Sequence, residues 1–174
     1  MQPTDRRTAT GPAGTTQPQP GGQQDAIALL KADHREVEDL FEQFQKAPSA
    51  DQKGELAGRV CVALRIHTAI EEEMFYPAFL EATGETQIHH EAEIEHAGAK
   101  NLISQIEEAS PEDEYFDAKV KVLSEMIKHH VNEEEKPDGM FARAQGSGMD
   151  LDALGEQMQE RKGELRAEGA ARRH

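Results

Sequence analysis

Residues 60–75 read VCVALRIHTAIEEEMF. Val60 and Leu64 open an apolar stripe at helical spacing, and the next two places on that stripe hold His67 and Glu71 instead of aliphatic residues. Leu123, Ile127, His130 and Glu134 repeat the arrangement in the same register. An imidazole and a carboxylate four residues apart lie side by side on one helical face, about one turn apart, where both reach a common ion. Polar groups at core places in two separate helices decide how the rest of the chain is read.

Upstream, Ile27, Leu30, His34, Val37, Phe41 and Phe44 recur every three or four positions from Asp25 to near Pro48, which predicts a first helix. The second follows Ser49 and runs past Met74 and Ala78 to Thr83-Gly84, where glycine suits a helix end. A third extends from about Thr86 to Ala109 and carries His96 on its apolar side. Ser110-Pro111 supplies an N-cap followed by proline, which predicts a fourth helix from that point to Pro137-Asp138-Gly139. Nothing alternates with period two and the joins are short, so the fold class is all-α, an up-down antiparallel four-helix bundle. The expected organisation is a flexible N-terminal tail over 1–23, the bundle over 24–142, and a partly helical extension over 143–174 with a short extra helix around Leu151, Leu154 and Met158. The polar end, RAEGAARRH, reads as frayed, with His174 untethered.

Four helices that each aim an imidazole or carboxylate at one axis would be self-defeating unless something binds those groups, because an unpartnered buried polar group costs several kcal/mol, on the order of 2–7. A metal resolves the conflict. His34, His67, Glu71, His96, His130 and Glu134 offer six nitrogen and oxygen donors, more than one tetrahedral zinc uses and natural for two ions sharing carboxylates. Imidazole with carboxylate suits iron, manganese or zinc, and no thiolate is available for a soft-metal site. The halves echo one another: Leu40, Phe41 and Phe44 stand at the same offsets from His34 as Leu102, Ile103 and Ile106 from His96. Each hairpin therefore contributes one His and one His-x-x-x-Glu.

The segments DHREVEDLF (33–41), HTAIEEEMFYP (67–77), EHAGAKNLI (95–103) and HHVNEEE (129–135) agree in order and spacing with a known pattern. Over about Asp25 to Phe141 the sequence resembles the hemerythrin-like, or HHE cation-binding, family. The resemblance implies a bundle enclosing a non-haem centre of two iron ions, bridged by the two glutamates and an oxo or hydroxo group. It departs from the pattern in two places. The oxygen-carrying members have a further histidine where Lys100 stands, and the family's Phe-Pro after the glutamates is replaced by Lys136-Pro137-Asp138-Gly139. His89 and Glu93 on the same helix, and His129 beside His130, are candidates for an additional ligand or a supporting group.

The remaining residues read more plainly. Phe41, Phe44, Phe75, Phe79 and Phe116 are core, Tyr76, one turn beyond Glu72, is within reach of the site but reads first as structural, and Cys61 packs. A net charge of −15, from 34 acids against 19 Lys and Arg, speaks against nucleic acid as a partner. No apolar run approaches the ~20 residues of a membrane helix, and no apolar stretch follows the early arginines as a secretory leader requires. The lone Cys61 excludes an intramolecular disulfide, with the cytoplasm the expected location. The leading functional expectation is binding of, or reaction with, O2, peroxide or a related small oxidant, with catalase-like or peroxidase-like turnover as one form of it. Iron storage or delivery, and a structural metal-bound helical module, are the alternatives; manganese and zinc rank behind iron.

Overall fold

The structure, a computed structural model, describes residues 24–171. The expected tail over 1–23 and His174 lie outside them. Helix α1 (Ala26–Lys46) starts where the Asp25 carboxylate accepts the Ala28 N–H at 2.7 Å, and α2 (Ala50–Ile70) where the Ser49 hydroxyl accepts the Gln52 N–H at 3.3 Å. The second rod then changes pitch. Glu71–Phe75 form a π-helical turn, with the Tyr76 N–H bonded five residues back to the Glu71 carbonyl, before α3 (Tyr76–Thr83) completes it. Gly84 ends α3 at φ 69°, a left-handed conformation suited to glycine. Next come α4 (Thr86–Glu107) and α5 (Phe116–Glu135).

The bundle pairs α1 with α2 and α4 with α5. The fourth helix starts later than Ser110-Pro111 predicts. The Asp113 N–H donates to the Ser110 carbonyl and the Phe116 N–H to the Asp113 carbonyl, so the Ser-Pro signal forms consecutive turns and α5 begins at Phe116. Downstream, α6 (Met140–Gly146) is short, while α7 (Leu151–Ala171) is 21 residues long and lies along α1 and α2. Gly155 allows that approach: a Cβ there would stand 2.5 Å from the Gln24 carbonyl oxygen. No helix among the described residues is long and apolar enough to cross a membrane.

The core falls into two apolar clusters. One gathers Val37, Leu40, Phe41, Phe44, Leu64, Ile103, Phe116, Leu123 and Ile127; the other gathers Leu30, Ile70, Phe75, Phe79, Ala92, Met140, Phe141 and Met158. Along three of the four rods the key histidine falls between them: His34 between Leu30 and Val37, His67 between Leu64 and Ile70, His96 between Ala92 and Ala99. The bundle thus encloses one polar layer between two dry ones.

Candidate metal centre

The structure brings all six sequence-predicted donors into that layer, every one of them buried. They form two overlapping groups. His34, His67, Glu71 and Glu134 make the first, and Glu71, His96 and His130 the second, with donor atoms in each within 4.8 Å of one another. The His34 and His67 Nε2 atoms are 3.2 Å apart, as are those of His96 and His130. Glu71 Oε2 lies 3.2 Å from His67 Nε2 and 3.3 Å from His96 Nε2, so one carboxylate faces both groups. Glu134 does the same with its two oxygens, Oε2 at 3.3 Å from His34 and Oε1 at 3.4 Å from His130.

Outside this layer stands a ring of carboxylates directed at the other face of each imidazole. Glu135 accepts from His34 Nδ1 at 2.7 Å, Glu72 from His96 Nδ1 at 3.0 Å and Glu95 from His130 Nδ1 at 2.7 Å, while Asp33 Oδ2 is 3.6 Å from His67 Nδ1. A proton held on Nδ1 leaves the Nε2 lone pair free and fixes the ring, the usual outer partnership of a metal-bound histidine. The ring obeys the internal repeat. Asp33 precedes His34 as Glu95 precedes His96, and Glu72 follows Glu71 as Glu135 follows Glu134. Each acid sits on the helix neighbouring the imidazole it serves, since adjacent residues point about 100° apart around a helix.

Cations from outside brace this ring. Arg35 Nη2 reaches Glu135 at 2.6 Å, and Lys100 Nζ reaches both Glu72 oxygens, at 2.6 and 2.5 Å. Lys100 therefore anchors a carboxylate at the place where the resemblance calls for a histidine. On a third corner, Lys162 of α7 pairs with Asp33 and is itself buried. The C-terminal helix is thereby tied to the support of His67.

Tyr76 corrects the plain structural reading. Its hydroxyl lies 3.1 Å from His96 Nε2, 3.2 Å from Glu134 Oε1 and 3.4 Å from Glu71 Oε2, inside the second group. In a regular α-helix, residues five apart diverge by about 140°. The π turn takes up one additional residue and swings Tyr76 onto the face of Glu71.

The remaining candidates stay apart from the six. His129 is exposed and contacts Glu95 at 3.2 Å. His89 lies 3.6 Å from the exposed Glu93 and packs edge-on against the Tyr76 ring, forming with His90 and Glu93 a separate group at the start of α4. Neither His89 nor Glu93 joins the six donors at the place of Lys100.

The electrostatics describe a site that wants positive charge. Burial works against a charged His67, yet Glu71 and Asp33 carry its pKa up to about 10. Burial opposes charge on His130 as well, and Glu134 and Glu95 raise it well above the ordinary value. Burial favours neutral carboxyls at Glu71 and Glu134, but the surrounding imidazoles hold both below the usual range, Glu71 by a wide margin. Burial and the two central carboxylates push the Tyr76 phenol well up. Even so, Glu71 Oε1 and Glu134 Oε2 are buried with no hydrogen-bond partner among the described residues. Two orphaned carboxylate oxygens beside two pairs of imidazole Nε2 atoms fit divalent or trivalent cations, whose binding would displace any protons on Nε2.

Comparison with known proteins agrees with this geometry. The model of the hemerythrin HHE cation-binding domain matches residues 25–142. The fold is similar to the crystal structure of a hemerythrin HHE cation-binding domain-containing protein from Mycobacterium kansasii, with a TM-score of 0.72 and 24% identity, covering 84% of this chain and 90% of that one. A protein described as a DNA nickase, from a Nostoc species, is 30% identical over 107 residues, 62% of this chain. The chain spans 30% of that relative's length.

Proposed function

Because the chain belongs to the hemerythrin HHE cation-binding domain family, we propose that its buried layer holds two iron ions and that the centre binds or reacts with O2, peroxide or a related small oxidant. The observation that carries this reading is the sharing of Glu71 and Glu134 between two histidine pairs. Two carboxylates serving both groups call for two ions at neighbouring positions. Four imidazoles against two carboxylates favour a redox-active site over the carboxylate-rich kind suited to iron storage.

Bound iron would supply electrons and Lewis acidity to a small oxidant. The protein's own residues do the rest. Glu72, Glu95 and Glu135 keep the Nδ1 protons of His96, His130 and His34 in place and those rings aimed inward, while Asp33 faces His67 Nδ1 at 3.6 Å. Phe75 and Leu30 on one side, with Leu64 and Ile127 on the other, exclude bulk water. The Tyr76 hydroxyl gives the second group an oxygen that the first group lacks. The nicking activity named for the Nostoc relative is left out of this reading, since the chain spans 30% of that protein and its net charge of −15 disfavours a phosphate backbone.

Metal analysis of protein purified from iron-replete cells tests the reading, with two irons per chain and near-ultraviolet absorption expected. Oxygen evolution on adding peroxide would mark turnover, and uptake of many irons per chain would mark storage instead. His67→Ala and Glu134→Ala should each lose metal and melt at lower temperature than the loaded parent. Unchanged metal content in both variants would overturn the donor assignment.

A further inference from the structure

Between α4, α5 and α6 lies a cavity of about 160 Å3 whose inner wall includes His130 and Glu134. Glu134 is only 2% exposed, and its Oε2 has no hydrogen-bond partner among the described residues. Toward solvent, the walls carry Glu91, Glu133 and Asp138, with Glu95 deeper against His130. In all, five carboxylates line this space against two cations, Lys136 and Arg143. Arg143 is drawn outward to Glu85 at 2.5 Å, and Lys136 is held to Glu133 at 2.5 Å. The α5 C-terminus, the negative end of its helix dipole, is at the same opening.

We propose that this cavity is the port through which divalent metal ions reach the buried centre, with Lys136 as the resident counter-ion that an incoming cation displaces. The proposal rests on the metal centre argued above. A negative opening with low-dielectric walls concentrates cations and raises their rate of arrival. The larger cavity, about 200 Å3 between α1, α2 and α7, has the opposite character. Arg59, Lys162 and Arg166 outnumber Asp33 and Glu36 there, and it meets none of the six donors.

Stopped-flow loading of metal-stripped full-length protein with Co2+ or, without oxygen, Fe2+ tests the port. Equilibrium stoichiometry is measured alongside. The double variant Glu91→Gln/Asp138→Asn should load about three- to tenfold more slowly at low ionic strength, and Lys136→Gln should load faster by a similar factor. Both should bind as much metal as the parent at saturation. The differences should collapse in ~0.5 M salt, where the Debye length falls to about 4 Å. Glu42→Gln/Asp51→Asn, remote from the cavity, should load at the parental rate.

Equal rates in the port variants and parent, with full stoichiometry, would overturn the port and leave the centre standing. Equal slowing in the remote variant would overturn it too, by showing that net charge alone governs loading. A parent that binds no metal at saturation would overturn the centre and the port together.

Discussion

Removing the ammonium of Lys162 while keeping most of its length, as in Lys162→Met, tests whether α7 supports the centre. The Lys162 ammonium pairs with Asp33 at a place where each residue keeps less than a tenth of its surface, 8% and 6%. Breaking a buried pair by deleting one partner costs about 3–5 kcal/mol, because the other charge stays behind uncompensated. Taking the lower end, about 3 kcal/mol, a domain of this size should melt about 6–12 °C lower at pH 7. The effect should depend on pH. Burial pushes the Asp33 carboxyl up, but His67 and Lys162 together hold it below its ordinary value of 3.8. A depressed carboxyl stabilises above the unfolded-state pKa and loses that contribution as pH falls through the folded value. The gap between variant and parent should therefore be full at neutral pH and narrow on acidification below about pH 4. Asp33→Asn combined with Lys162→Met should recover part of the loss, since neither charge is then stranded. Thermal unfolding followed by circular dichroism reads all of this. A Lys162→Met melting point within about 2 °C of the parent at pH 7 would refute the buried pair and the tie between α7 and His67.

Tyr76→Phe keeps the packed ring but removes the hydroxyl from the second donor group. One of the two metals proposed for the centre should then be lost more readily to a chelator, and equal release from variant and parent would show that the hydroxyl is idle. Gly155→Ala should destabilise by about 1–3 kcal/mol, because its Cβ would meet the Gln24 carbonyl at 2.5 Å; a neutral effect on urea unfolding would mean that α7 sits less closely on α1. Burial pushes the Cys61 thiol up to about 12, with Glu107 adding to the shift and Arg65 opposing it. Native protein should resist alkylation at pH 8 and react once unfolded, and rapid native labelling would contradict that environment. The raised value also means that alkali draws protons from the unfolded thiol first, so this group's effect on stability turns unfavourable as pH rises past about 9.

The six central donors were legible because polar residues at apolar helical places announce themselves by their cost. The supporting carboxylates were not. Glu72 and Glu135 sit in runs of glutamate that read as solvated faces, and Asp33 and Glu95 precede histidines without breaking any periodicity. Their signal was the recurrence of an acid immediately before His34 and before His96. For Tyr76, a constant 3.6 residues per turn favours the plain structural role over an approach to the site, and nothing in EEEMF marks the change of pitch that decides for the approach. Ser110-Pro111 serves a turn as well as a helix start, and only the Asp113 and Phe116 hydrogen bonds decide between them. The docking of α7 was hidden because one of its buried residues is a lysine whose partner lies on α1.

The widened turn at Glu71–Phe75 amounts to one surplus residue lodged in a rod that is otherwise of regular pitch. Deleting one codon there would turn the widened turn back into regular α-helix and keep His67 and Phe79 facing the same way. A deletion elsewhere between Ala50 and Thr83 would twist one half against the other by about 100°. That short span is where the rod can give up a residue and still keep its two halves in phase.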